Sequence, residues 1–180
     1  MLEIEVILRP ELWDNDNEEF IPPITQTLRL EHSLVSIKKW ESKWCKPFLS
    51  KREKTDEETL DYIKCMTITQ NVKPEVYTRL SDENMRQIED YINAPMTATT
   101  FANENDKPNN SVITAEVIYS WMISFNIPSE YQKWHLNSLI ALIRVRAAEN
   151  SPPKPRSEQE LAKDYAELNA TRRKKLNSKG

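Results

Sequence analysis

A chain of 180 residues that is 38% hydrophobic, with five tryptophans, folds as one compact domain with a tail or as two small units; it is not disordered throughout, and no apolar run nears the ~20 residues that cross a bilayer. Its net charge of −3 is unevenly spread: residues 151–180 hold eight Lys/Arg and four Asp/Glu, a net of +4, which leaves −7 on residues 1–150 and makes an acidic body with a basic tail. The one glycine, Gly180, rules out glycine-rich phosphate loops and disfavours tight hairpins and β-barrels, which leaves helices punctuated by eleven prolines.

The N-terminus, MLEIEVILRPEL, lacks a basic-then-apolar signal pattern and reads as cytosolic. Leu2, Ile4, Val6 and Leu8 alternate with Glu3, Glu5, Ile7 and Arg9, which predicts a half-buried strand ended by Pro10. DNDNEE (14–19) reads as an acidic surface loop. A second strand is expected over 24–32, with Ile24, Gln26, Leu28 and Leu30 on one face, paired with the first through that long loop. A bare two-stranded ribbon is marginal, so a helix or another chain must cover it.

From Ser33 the period lengthens. Leu34, Ile37, Trp40 or Glu41, and Trp44 recur at helical spacing, with Ser33 as N-cap and Pro47 as the stop. Thr55-Asp-Glu-Glu58 is a capping box for a helix with Leu60, Tyr62 or Ile63, and Met66 inward. A short helix suits 74–80, and Ser81 caps another over 82–92, with Met85, Ile88, Tyr91 and Ile92 aligned. Residues 96–113 are loop-like. Thr114 caps 115–125, and Pro128-Ser129 opens a helix over 130–148, expected at the centre of the core with Trp134 among its apolar residues. NSPPKPRS (150–157) is a proline linker, and Ser157-Glu-Gln-Glu160 caps a tail helix with the thin stripe Leu161, Tyr165, Leu168 and Leu176.

The expected fold class is therefore mainly α with a small N-terminal two-stranded β element (α+β). The strand pair occupies 1–32, a helical body 33–149, and the proline linker with its basic amphipathic tail helix 150–180.

Candidate chemistry is sparse, and the chain reads as non-enzymatic. His32 and His135 are the only histidines, read as structural residues at a strand-to-helix junction and in an apolar helix. No HxxxH, CxxC or paired-carboxylate spacing supplies the three or four ligands that zinc needs. Cys45 and Cys65 read as reduced thiols, with nothing around them that marks a nucleophile apart from Lys43 and Lys46, whose charge could lower the thiol pKa of Cys45. No catalytic residue, cofactor site or metal site is assigned. RRKK (172–175) suggests nucleic acid, but an acidic body repels DNA and no aromatics interleave the cluster for stacking, so that partner is disfavoured. What remains is protein binding. The tail stripe has too little apolar area to fold alone and must dock or order on a partner. The candidate contacts are Trp40, Trp44, Leu161, Tyr165 and Leu168, although a Trp40/Trp44 stripe is more ordinarily core.

Four segments, LEHSLVSIKKWESKWCKPFLS (30–50), DYIKCMTI (61–68), ITAEVIYSWMISFNIPSEYQKWHLNSLIALIRV (113–145) and NSPPKPRS…AELNATRRKKLNSKG (150–180), resemble the tail assembly chaperones of long-tailed (siphovirus-type) bacteriophages. The likeness spans most of 28–180 and is most specific in LEHSL…KWESKW…KPFL. It implies a protein made in the host cell cytoplasm that binds the tape measure protein, keeps it soluble while tail tube subunits polymerise around it, and is absent from the mature virion. It also implies a longer form made by ribosomal frameshifting that recruits tail tube protein, with this chain as the short form. Coating a long client further favours self-association, for which the strand edge near 2–8 is a candidate. The alternatives are a structural virion protein (a tail-completion or connector subunit) and, behind it, a nucleic-acid-binding regulator.

Overall fold

The computed structural model describes residues 1–101, 112–150 and 158–176. Four strands come first: β1 (Leu2–Arg9), β2 (Leu12–Asp14), β3 (Glu19–Ile21) and β4 (Ile24–Leu30). Seven α-helices follow among those residues: α1 (Leu34–Trp44), α2 (Asp56–Met66), α3 (Pro74–Tyr77), α4 (Asp82–Asn93), α5 (Ala115–Ser124), α6 (Leu136–Asn150) and α7 (Glu158–Leu176). The fold is mainly helical α+β, as its periodicities predict. Met1–Ala147 forms one compact unit and Ala148–Gly180 a second, so the boundary falls in the last turn of α6.

β1 and β4 pair antiparallel, with Leu2 opposite Leu30 and Ile4 opposite Leu28. The alternation sends Ile4, Val6, Leu28 and Leu30 inward, where they meet Leu34, Ile37, Ile63 and Leu139 in one core shared with the helices. The outer face is polar apart from the exposed Ile7, closed by Glu3–Arg29 (3.1 Å) and by Thr25 donating to Glu5 (2.7 Å). Both edges are occupied. Along β4, Ile68 N–H donates to Arg29 O (2.8 Å) and Glu31 N–H to Met66 O (2.9 Å). Along β1, Asn84 Nδ2 donates to Glu5 O (3.2 Å) and the Arg79 guanidinium donates to Leu8 O. The ribbon is thus covered by its own chain.

Three helices start on reciprocal caps written locally in the sequence: Ser33 with Ser36, Thr55 with Glu58, and Ser81 with Asn84. The start of α5 differs. Thr114 makes no side-chain cap for α5; Glu41 of α1 supplies one instead, its Oε2 accepting Ala115 N–H at 2.8 Å. The other oxygen, Oε1, accepts Phe48 N–H at 2.8 Å. One buried carboxylate thereby fastens α1, the 45–54 loop and α5.

The structure departs from the sequence reading in four places. Residues 12–21 form a hairpin rather than only a loop: β2 pairs β3, with Trp13 opposite Phe20. Asp14 accepts from Asp16 N–H and from Asn17 Nδ2, and Glu18 adopts φ 49°, the left-handed turn position usually given to glycine. The helix expected over 130–148 is broken into a 3₁₀ turn (Ser129–Lys133) and α6. Between them His135 bridges Ser33, and Leu136 N–H donates to His32 O (2.8 Å), so pairing with the strand-to-helix junction overrides helix propensity. Trp134, placed in the core by periodicity, is consequently 45% exposed and stacked on Tyr131. Finally, α3 ends at Tyr77, short of the expected residue 80.

Glu41→Ala leaves two buried N–H groups unpaired and is expected to cost about 2–4 kcal/mol in urea unfolding. Glu116→Ala, which removes only an exposed ion pair with Lys38, is expected to leave the urea midpoint nearly unchanged. Equal losses would contradict the role given to Glu41.

Candidate protein-interaction surfaces

The Trp40/Trp44 pair is built into the contact between α1 and α2. Trp40 is fully buried and donates Nε1–H to Glu58 O (2.9 Å), so it belongs to the core and not to a contact surface. Trp44, one turn on, is half-buried, stacks on Trp40 and donates to Asp61 Oδ2 (2.9 Å). Lys43 and Lys46 lie over its ring at 5.8 and 5.5 Å. Beneath them the Glu58 side chain is fully buried, paired with Lys46 (2.7 Å) and by two hydrogen bonds with Arg52. Lys46, the Thr55 backbone N–H and Arg52, in that order, hold its carboxyl down to about 2. Trp44 is thus half-buried at a rim of cations.

In the second unit, α7 carries Tyr165 at 64% and Leu168 at 46% exposure, three residues apart on one side of the helix. Arg172 and Lys175 are also exposed. Of the expected linker over 150–157, Asn150 is instead the last residue of α6 and 151–157 lie outside the described residues, as do the Ser157 cap and the side chains of Leu161 and Leu176. Two of the five predicted contacts therefore present apolar surface.

The β2–β3 hairpin is a surface that sequence reasoning missed. Trp13 and Phe20 pack edge to face at 4.8 Å, yet they are 49% and 64% exposed, and Leu12 is 45% exposed. The available signal was the near-mirrored pair LWD and EFI around an Asx-type turn; scarcity of glycine argued against it. A groove of about 590 Å³ floored by Phe48, Tyr62, Ile63 and Ile88 also lies between α2 and α4, with Lys54 4.3 Å over the Phe48 ring and a rim of mixed charge.

The histidines meet where β4 passes into α1. Their ring centroids lie 5.1 Å apart and both are buried. Asn137 N–H donates to His135 Nδ1, and His135 Nε2 faces Tyr91 O at 3.0 Å, a pairing that requires a neutral ring protonated on Nε2. His32 Nδ1 bonds Tyr62 Oη at 2.5 Å. Burial, with a smaller contribution from His135, drops His32 to about 4; burial also lowers His135. Burial raises the Cys65 thiol, away from thiolate chemistry, and Cys45 is an exposed left-handed cap at the end of α1. Among the described residues no group of three His, Cys, Asp or Glu side chains is placed to hold a metal. Comparison with protein-family models, curated proteins and solved structures gives no match.

Because His32 binds its proton more weakly folded than unfolded, stability is full above about pH 6.5 and is lost as pH falls toward about 4. Unfolding free energy is expected to drop by ~3 kcal/mol across that window from this group. His32→Phe should flatten the slope; an unchanged slope in the variant would contradict the assignment.

Proposed function

We propose that this chain is a tail assembly chaperone of siphovirus-type phages, a non-enzymatic protein that binds the tape measure protein and keeps it soluble while the tail tube polymerises around it. The observation that carries this reading is the exposure of Tyr165 and Leu168 on one side of α7, a 19-residue helix in a compact unit of its own. A helix with so thin a stripe is marginal in water and is stabilised by laying that stripe against another apolar helix. The likeness of residues 30–50, 61–68, 113–145 and 150–180 to tail assembly chaperones supplies the client. The net charge of −7 on residues 1–150 suits a protein that must hold an apolar client in solution. Binding of this kind uses no cofactor, metal or catalytic group. It takes place in the host cytoplasm, and the protein leaves before the virion matures. Tail tube protein joins through a frameshifted longer form, and copies lined along one client gain by avidity from contact with each other.

Co-expression tests this directly: the tape measure protein should become soluble and co-elute with this chain. A client that stays insoluble with no complex would overturn the reading. Tyr165→Ala/Leu168→Ala should weaken the complex by about tenfold or more while shifting the unfolding free energy of the body by no more than ~0.5 kcal/mol. Mass spectrometry of purified particles should find the protein missing; stoichiometric presence would instead indicate a tail-completion or connector subunit.

A further inference from the structure

The β2–β3 hairpin is under-packed for what it exposes. Leu12 and Trp13 are adjacent in a strand, so their side chains leave opposite faces of the ribbon, and both are about half exposed. Neither face is therefore sealed. Two strands of three residues each are too short to be stable on their own. Here the turn is held by Asp14, whose side-chain bond from Asn17 and backbone bond from Asp16 keep its carboxyl below the usual range.

The hairpin's own residues carry charge of one sign, and Arg9, which precedes it, donates to Pro22 O (3.4 Å) at its base. Residues 11–21 contain Glu11, Asp14, Asp16, Glu18 and Glu19 and no Lys or Arg. This differs from the groove between α2 and α4, where Lys54 and Arg86 stand beside Asp82 and Glu89. An anionic, neutral-patterned or acidic partner would be repelled or gain nothing from that fringe, whereas a cationic one gains at every position, including cation–π contact with the exposed Trp13 ring.

We infer that the Trp13–Phe20 hairpin is a docking surface for a lysine- or arginine-bearing amphipathic segment of a client protein, with the aromatic pair covering the segment's apolar side chains and the carboxylates pairing its cations. The inference rests on the client-holding reading for the identity of the protein that carries the segment; the chemistry of the segment follows from the hairpin alone.

The test uses the full chain and two fluorescently labelled synthetic helical peptides with the same leucine stripe, one bearing lysines on its flanks and the other glutamines at those positions. Anisotropy titration should show the lysine peptide binding and the glutamine peptide binding about tenfold more weakly or worse. Trp13→Ala/Phe20→Ala should weaken the lysine peptide by about tenfold or more. Asp16→Asn/Glu18→Gln/Glu19→Gln, which leaves the turn-holding Asp14 in place, should erase the preference for lysine with the aromatics intact. Circular dichroism should show unchanged helix content in both variants, and the charge variant keeps the question answerable if the aromatic one unfolds. Equal binding of the two peptides, no binding of either, or full affinity in the folded variants would overturn the inference. In co-expression with the tape measure protein, failure of the wild-type chain counts against the chaperone reading. Success of both wild type and the Trp13/Phe20 variant counts against the hairpin alone.

Discussion

Glu41 gives one carboxylate oxygen to Phe48 N–H and the other to Ala115 N–H, two donors that no helix satisfies. Much of the helical half follows from that arrangement. Fixing Phe48 turns the 45–54 loop back over α1, bringing the Phe48 ring within 5.2 Å of Trp40 and 4.0 Å of Tyr62. Fixing Ala115 sets the start of α5 so that Ile118 and Met122 enter the core. Buried carboxylates are expensive unless they are hydrogen-bonded, and here both are: Glu41 takes one backbone amide on each oxygen, and Glu58 is bonded by Lys46, Arg52 and Thr55. The acidic character of the body is thus partly internal, and these charges order segments that have few other ties.

What the sequence reveals of this arrangement depends on how far apart the participants lie. The boxes at Ser33, Thr55 and Ser81 span three residues each and can be read directly, as can the inward faces of β1, β4 and α1. Glu41 sits 74 residues from Ala115, and nothing near Thr114 announces a cap supplied from another helix. The break at Trp134–His135 is of the same kind. Locally those residues suit a helix, but Ser33 and His32 claim their backbone, which sends Trp134 outward and His135 inward. The hairpin failed for a different reason. Glycine is the usual solution for a left-handed turn residue but not the only one, and Glu18, Cys45, Asn71, Met96 and Asn126 all take positive φ. Composition argued against the turn; the short Asp14–Asn17 bonding pattern made it.

Of the predicted contact residues, Trp40 was legible as helix and as apolar, but the same periodicity describes core and surface, and only packing separates them. Tyr165 and Leu168 were identifiable because a thin stripe beyond a run of prolines has no obvious interior to enter. Exposed apolar groups thus stand, among other places, on the acidic hairpin and on the helix that bears Arg172 and Lys175. On the chaperone reading, a client that is apolar along its length but variable in charge is served better by two such surfaces than by one.

On the chaperone reading, the core of Met1–Ala147 is a fixed scaffold and binding is done by what the scaffold leaves uncovered. Hydrogen exchange on the full chain, alone and in complex with the tape measure protein, tests it most directly. Exchange should slow in residues 11–21 and 158–176 on binding and stay unchanged across α1, α2 and α5. Slowing confined to those core helices, with the hairpin and α7 unaffected in a saturated complex, would contradict it.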